Sequence, residues 1–168
     1  MNTIMIDALP SKHIVGVSDM KISCTSGDIV ITHSLGSCIG IAIHDPVAKV
    51  GGILHFQLPS SEDRSHKAEQ NPCMFADTGI PVLFRTAYKY GADKKRLVVK
   101  VAGGSNVADK NEFFQIGRRN YISMKKIFWK NGVLISAEDV GGNSWRTMRM
   151  EIGTGRVFIK NGSGEYEL

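Results

Sequence analysis

Residues 39–44, Ile-Gly-Ile-Ala-Ile-His, alternate large apolar side chains with small ones. A period of two marks a strand. Here it implies one crowded face and one closely approached face. Residues 50–56 (VGGILHF) return as a second strand, and Asp45-Pro46-Val47-Ala48-Lys49 supplies turn chemistry between them. Further strand-like runs occupy 14–17, 28–32, 96–102, 133–137, 145–152 and 156–160, the last two joined by Gly153-Thr154-Gly155 as a short hairpin signal. The helical period appears twice. Ile80, Leu83, Phe84, Ala87 and Tyr88 form one apolar face, with Asp77 and Thr78 as capping candidates, Pro81 in the first turn and Gly91 as the stop. A second helix over 117–130 turns Tyr121, Met124, Ile127 and Phe128 inward and places Lys125, Lys126 and Lys130 toward its C-terminal end, where the dipole favours cations. Residues 60–72 are polar except for Ala68 and read as a loop. Strands outnumber helices and several neighbours look hairpin-linked, which predicts an α+β fold with mixed or antiparallel sheets.

Composition narrows the picture. A chain of 168 residues with 42% hydrophobic content suits one domain over 1–168 and excludes disorder, collagen and coiled coil. The net charge of +5 permits an acidic partner without naming one. There are three cysteines, Cys24, Cys38 and Cys73, and no CxxC, which argues against a disulfide framework and a zinc ribbon. The start, Met1 to Asp7, lacks a basic region and a long apolar run, and every apolar stretch is strand-sized. These features lead us to expect a cytoplasmic protein with no membrane insertion, no metal and no cofactor.

The hairpin register singles out one thiol. A turn centred between Pro46 and Val47 pairs Ile43 with Val50, Ile41 with Gly52, Ile39 with Leu54, and Cys38 with His55. Directly opposed residues share a face, close enough for a thiol and an imidazole to hydrogen-bond; a one-residue slip would separate them. A Cys–His pair is the minimum for a thiol nucleophile. Gly36 and Gly40 flank Cys38, leaving room for a substrate and for backbone N–H groups that could serve as oxyanion donors. The segment 36–40 has the form G-x-nucleophile-x-G, but residues 39–44 alternate like a strand, which excludes the α/β-hydrolase elbow. On spacing alone Cys38 also fits a small buried hydrophobe, and both readings stand at this point.

The order of motifs then resembles a known family, the chemoreceptor glutamine deamidases of bacterial chemotaxis, CheD. The residues that carry the resemblance are Gly16-Val17-Ser18-Asp19, Leu35-Gly36-Ser37-Cys38, Asp45-Pro46, Gly51-Gly52 and His55-Phe56-Gln57-Leu58-Pro59. They continue with Phe75-Ala76-Asp77, Lys100-Val101-Ala102-Gly103-Gly104, Ile116-Gly117-Arg118-Arg119-Asn120 and Glu138-Asp139-Val140-Gly141-Gly142. The resemblance implies a catalytic set of Cys38, His55 and Thr32, with Gly36 and Ser37 at the substrate and oxyanion position. It implies layered sheets with two main helices packed on one side. It implies hydrolysis of receptor glutamine side chains to glutamate, with chemoreceptor cytoplasmic domains as substrate and a CheC-type phosphatase as a possible partner. A regulatory module that mainly docks on that phosphatase is the alternative. The sequence departs from the family at His33-Ser34, in the 60–72 loop, and at Phe75, where Tyr is common.

Other candidates take blander readings. His44 shares the parity of Cys38 and reads as structural; His13, His33 and His66 read as solvent-facing; Cys24 and Cys73 lack a partnered histidine. Arg118-Arg119 and Lys125-Lys126 read as a solvated helix face, with no nucleic-acid motif beside them. A weaker reading sets them against an acidic receptor surface.

Overall fold

The computed structural model describes residues 9–107 and 114–168. The Met1 to Asp7 segment lies outside the described residues. Ten strands form two five-stranded sheets. The first sheet has the order β1 (Lys12–Val15), β3 (Ile29–Leu35), β8 (Arg146–Glu151), β9 (Val157–Asn161), β10 (Gly164–Glu167). The second has the order β2 (Asp19–Ser23), β5 (Val50–Phe56), β4 (Ile39–Asp45), β6 (Val98–Gly103), β7 (Ala137–Val140). Both are mixed: β1/β3 and β6/β7 run parallel, and the other pairs are antiparallel.

Among the described residues there are three α-helices, α1 (Ser65–Gln70), α2 (Ala76–Lys89) and α3 (Ile116–Lys130), and a short 3-10 turn at Pro72–Met74. The second sheet is the middle layer. Its Ile39, Ile41, Ile43, Leu54 and Phe56 pack with Ile80, Leu83 and Phe84 of α2 and Met124 and Phe128 of α3. Its other face packs Ala42, Ile53 and Ala102 against Val30, Met148, Met150 and Ile159 of the first sheet. The α+β fold with layered mixed sheets and two main helices on one side is therefore as expected. So is the alternation of β4, whose isoleucines face the helices while its small residues face the first sheet.

Several elements differ from the sequence expectation. The 60–72 loop holds α1, whose one buried side chain is Ala68. Strands β2 and β10 were not anticipated: β2 is half-buried and β10 exposed, so neither shows a clear alternation. The 133–137 run packs as coil, and β7 begins at Ala137. Asp77 and Thr78 lie inside α2, which Phe75 precedes. The Asp77 carboxylate instead accepts the Ser61 amide and hydroxyl, pinning the loop that precedes α1.

The β4–β5 register also differs. Asp45 pairs with Val50, so four residues form the connection, and Gly40 faces His55. The cause is Asp45 itself. Its buried carboxylate accepts the Val47 and Ala48 amides at 2.9 and 3.0 Å, and its carbonyl accepts the Lys49 amide at 2.9 Å. Lys49 takes a left-handed conformation, φ 55°. That wider loop moves the register by two residues, not one, so every side chain keeps the face expected for it. Arg96 closes the turn with Nε and Nη2 both donating to the same carboxylate and holds Asp45 well below the usual carboxylate range.

Candidate active site

His55 is fully buried between the sheets. Its ring Nδ1 lies 2.7 Å from Thr32 Oγ1, which lies 2.8 Å from the Val15 carbonyl oxygen. Thr32 has one hydroxyl hydrogen, and a carbonyl can only accept, so that hydrogen goes to Val15. Thr32 must then accept from His55 Nδ1–H. This fixes the tautomer: Nε2 of the neutral ring carries the lone pair. That atom is buried and has no hydrogen-bond partner among the described residues. Burial pushes the imidazole down to about 4, because nothing nearby compensates a positive charge. The ring is thus a neutral base with its accepting nitrogen free.

Cys38 sits just before β4 and packs against the inter-sheet cluster. The two-residue register change makes it a diagonal neighbour of His55 on the same face, not its direct opposite. Gly40 faces His55 directly and puts no side chain between them. The thiol is half-buried, and that burial pushes it up from its ordinary value. Thiol and imidazole are therefore both neutral at rest.

The segment carrying Cys38 is shaped by a bulge and a clamp. The β3–β8 register shifts between Thr32 and Leu35, and Ser34 is left-handed at φ 59°. His33-Ser34 is the stretch in which the sequence departs from the CheD pattern, and it forms this bulge. Beyond it, Gly36 lies under the Trp145 ring, and a Cβ there would stand 2.6 Å from Trp145 Cζ3. All three carbonyls of the 36–38 turn are tied down. Gly36 O accepts from Ser105 N at 2.8 Å, Ser37 O from Asn120 Nδ2 at 2.9 Å, and Cys38 O from Gly104 N at 2.8 Å. Gly103, at φ 112°, lets the β6 end approach; a Cβ there would meet Cys38 O at 2.2 Å. The Ser37 amide finds no acceptor among the described residues, and the Cys38 amide faces its own sulfur. Both donors lie beside the thiol.

The structure joins Thr32 to His55 and packs Cys38, with Gly36 and Ser37 before it, against the inter-sheet cluster, but the thiol–imidazole hydrogen bond expected from the sequence is not formed. The remaining histidines and cysteines do not join them. His44 Nε2 donates to Ile152 O at 2.7 Å, a buried structural contact. His33 and His66 are exposed, as expected. His13 corrects the expectation: it is only half-exposed and pairs with Asp28 at 2.6 Å, because β1 runs beside β3. Cys24 is exposed and Cys73 is buried under α2. No cluster of three metal-ligating side chains occurs among the described residues. Sequence reasoning missed Asn120. Its signal was a polar residue four before Met124, on the apolar stripe of α3.

Fold and site define a mixed α+β protein with a buried Thr32–His55 pair and a half-buried thiol, Cys38, packed against the inter-sheet cluster. A family model described as CheD chemotactic sensory transduction matches residues 57–161. A protein of Syntrophus aciditrophicus (strain SB), named probable chemoreceptor glutamine deamidase CheD 1, is 53% identical over 151 residues, 90% of this chain and 94% of that one. One from Solibacter usitatus (strain Ellin6076) with the name probable chemoreceptor glutamine deamidase CheD is 44% identical, covering 92% of each chain. A third, probable chemoreceptor glutamine deamidase CheD 2 of Anaeromyxobacter dehalogenans (strain 2CP-C), is 45% identical over 88% of this chain and 93% of that one. The chain belongs to the CheD family. No helix among the described residues is long and apolar enough to cross a membrane.

Proposed function

We propose that this protein hydrolyses glutamine side chains of chemoreceptors to glutamate, with Cys38 as nucleophile, His55 as base and acid, and Thr32 as the group that orients His55. The observation that carries the reading is the Val15–Thr32–His55 chain, which leaves Nε2 as a free acceptor on the face that holds Cys38.

The reaction follows from those positions. Because thiol and imidazole are both neutral at rest, proton transfer accompanies attack. Cys38 Sγ bonds to the carboxamide carbon as its proton passes to His55 Nε2. The Ser37 and Cys38 amides, at the Gly36-Ser37-Cys38 turn, hold the developing oxyanion. His55 Nε2–H then protonates the leaving nitrogen, the C–N bond breaks, and ammonia departs from a thioester. Water attacks that thioester, its proton goes to His55, and the carbon–sulfur bond breaks. Glutamate is released and the Cys38 thiol regains its proton. The balance needs no cofactor or metal. Buried Thr32 supplies orientation without charge, so the imidazolium formed in the reaction stays a strong acid toward the leaving group.

The substrate in this reading is the cytoplasmic part of the receptor, which places the protein in the cytoplasm, where three free thiols are at ease. A CheC-type phosphatase as regulator, and the absence of a nucleic-acid role, belong to the same reading. The basic residues Arg118, Arg119, Lys125 and Lys126 are exposed on α3, suited to an acidic receptor surface. The test is mass spectrometry of receptor cytoplasmic domains after incubation. Wild type should add about one dalton per deamidated Gln, and Cys38→Ala should add none. Equal gain in both, or none with wild type, would falsify the reading.

A further inference from the structure

We infer that Asn120 is a positioning residue that sets Cys38 against His55. The β4–β5 ladder ends at Ile39 and Phe56. One step beyond, the two chains leave the sheet, one toward Ser37 and the other toward Gln57. Neither carbonyl there has a ladder partner. Asn120 Nδ2 replaces the missing rung, donating to Ser37 O and Gln57 O at 2.9 Å each. One tethered carbonyl precedes the thiol by a residue, and the other lies two residues past the imidazole. A single side-chain amide on α3 therefore spans the two strand ends whose separation sets the reacting distance.

Two further facts fit a residue kept for its donors. Asn120 is fully buried, yet its Oδ1 has no partner among the described residues. A buried acceptor left unpaired is costly, so packing alone would favour an apolar side chain at this place. The amide orientation is also unambiguous, because two carbonyls can be bridged only by the –NH2 end. The backbone near Asn120 is fitted to the same segment: Gly117, one turn earlier, lies against Gly104, whose amide holds Cys38 O.

Ser123 supplies an internal control. It lies one turn further along α3 and donates to Pro59 O at 2.6 Å. It ties the same helix to the same outgoing chain without touching the Cys38 segment.

The inference rests on Cys38 and His55 as the reacting pair, and its test does not need the receptor. Iodoacetamide alkylation of Cys38 is monitored by peptide mass spectrometry near neutral pH, with and without His55→Ala. In the parent chain His55→Ala should slow Cys38 by about tenfold or more, since the base no longer takes the thiol proton. In Asn120→Ala that factor should fall below about twofold, whatever the absolute rate, because the cycle reads only the coupling. In Ser123→Ala it should persist. Asn120→Ser retains one donor and should recover part of the coupling; it also serves if the alanine variant does not fold. The inference is overturned if the His55 factor survives in the folded Asn120 variants, if Ser123→Ala removes it equally, or if the parent chain shows none. With receptor present, Asn120→Ala should lower kcat while KM stays within about twofold. Absence of any mass gain in wild-type assays, with the coupling behaving as stated, would remove the deamidase reading and leave this one standing.

Discussion

The two faces of the middle sheet are built by different rules, although they share every strand. Toward the helices, β4 and β5 present Ile39, Ile41, Ile43, Leu54 and Phe56, and no histidine joins that cluster. Toward the first sheet they present Gly40, Ala42, His44, Gly51, Ile53 and His55. The first face is stability; the second gives up packing volume so that imidazoles, Thr32 and a thiol can lie between sheets. Period-two alternation delivers both from one stretch of chain. The lesson is that the small residues are as informative as the large ones, since they mark where backbone or a reacting group must come close.

Mutations can break that division of labour. Cys38→Ala should reduce receptor deamidation by about 10³-fold or more, while the melting temperature barely moves, since the thiol is only half-buried. His55→Ala should come next at about 10²–10⁴-fold. On the helix side the pattern should invert. Phe128→Ala removes a fully enclosed ring that stands edge-on to Phe84, centroids 6.1 Å apart. It should cost about 3–5 kcal/mol in denaturant unfolding, with the specific activity of the folded fraction unchanged. A truncation within the apolar helix-side cluster that lowered kcat per folded molecule would refute the separation.

Titration sharpens the same contrast. The imidazole of His55 sits at about 4 when folded and at 6.5 in the free chain. Between those values the unfolded chain binds a proton that the native state refuses, so stability must fall as pH drops from about 6.5 toward 4 and level off below. The integrated loss is on the order of 3 kcal/mol for this group. His44, also lowered by burial, adds to it with the same sign. Urea unfolding from pH 7 to 4 should show the slope, and His55→Asn should flatten most of it. The acid limb of kcat/KM should likewise lie near the folded value, well below that of free imidazole. A limb at the free value would mean a solvated ring.

Much of this was legible in the chain because it depends on parity. Alternation in 39–44, with 50–56 returning as its hairpin partner, gave the faces, and the helical stripes of α2 and α3 gave the layer above. The motifs Leu35-Gly36-Ser37-Cys38 and His55-Phe56-Gln57-Leu58-Pro59 gave the site residues. What escaped was set by single side chains acting on backbone. Asp45 widened the turn and moved the register by two, which composition cannot show. The half-buried β2 and exposed β10 had no periodic signature. Asn120 was hidden because its value lies in two carbonyls far away in sequence, Ser37 and Gln57, left bare where a ladder ends.

The smallest expected effect concerns Thr32, where structure and chemistry overlap. Its hydroxyl joins the sheets, donating to Val15 O within the first and accepting from His55 of the second. Thr32→Val preserves the shape and removes both bonds, leaving Nδ1–H and a carbonyl buried without partners. Stability should drop by about 1–3 kcal/mol. The ring should lose its preference for the tautomer with Nε2 free, and kcat should fall about tenfold, equivalent to about 1.4 kcal/mol of lost orientation. Thr32→Ser keeps the hydroxyl and sheds only the methyl group, so kcat should stay within about twofold. The pair isolates orientation from packing: an equal fall in Val and Ser variants would assign Thr32 to the core alone. A fall confined to Val would show that the reacting face needs the Thr32 hydroxyl, not its methyl group.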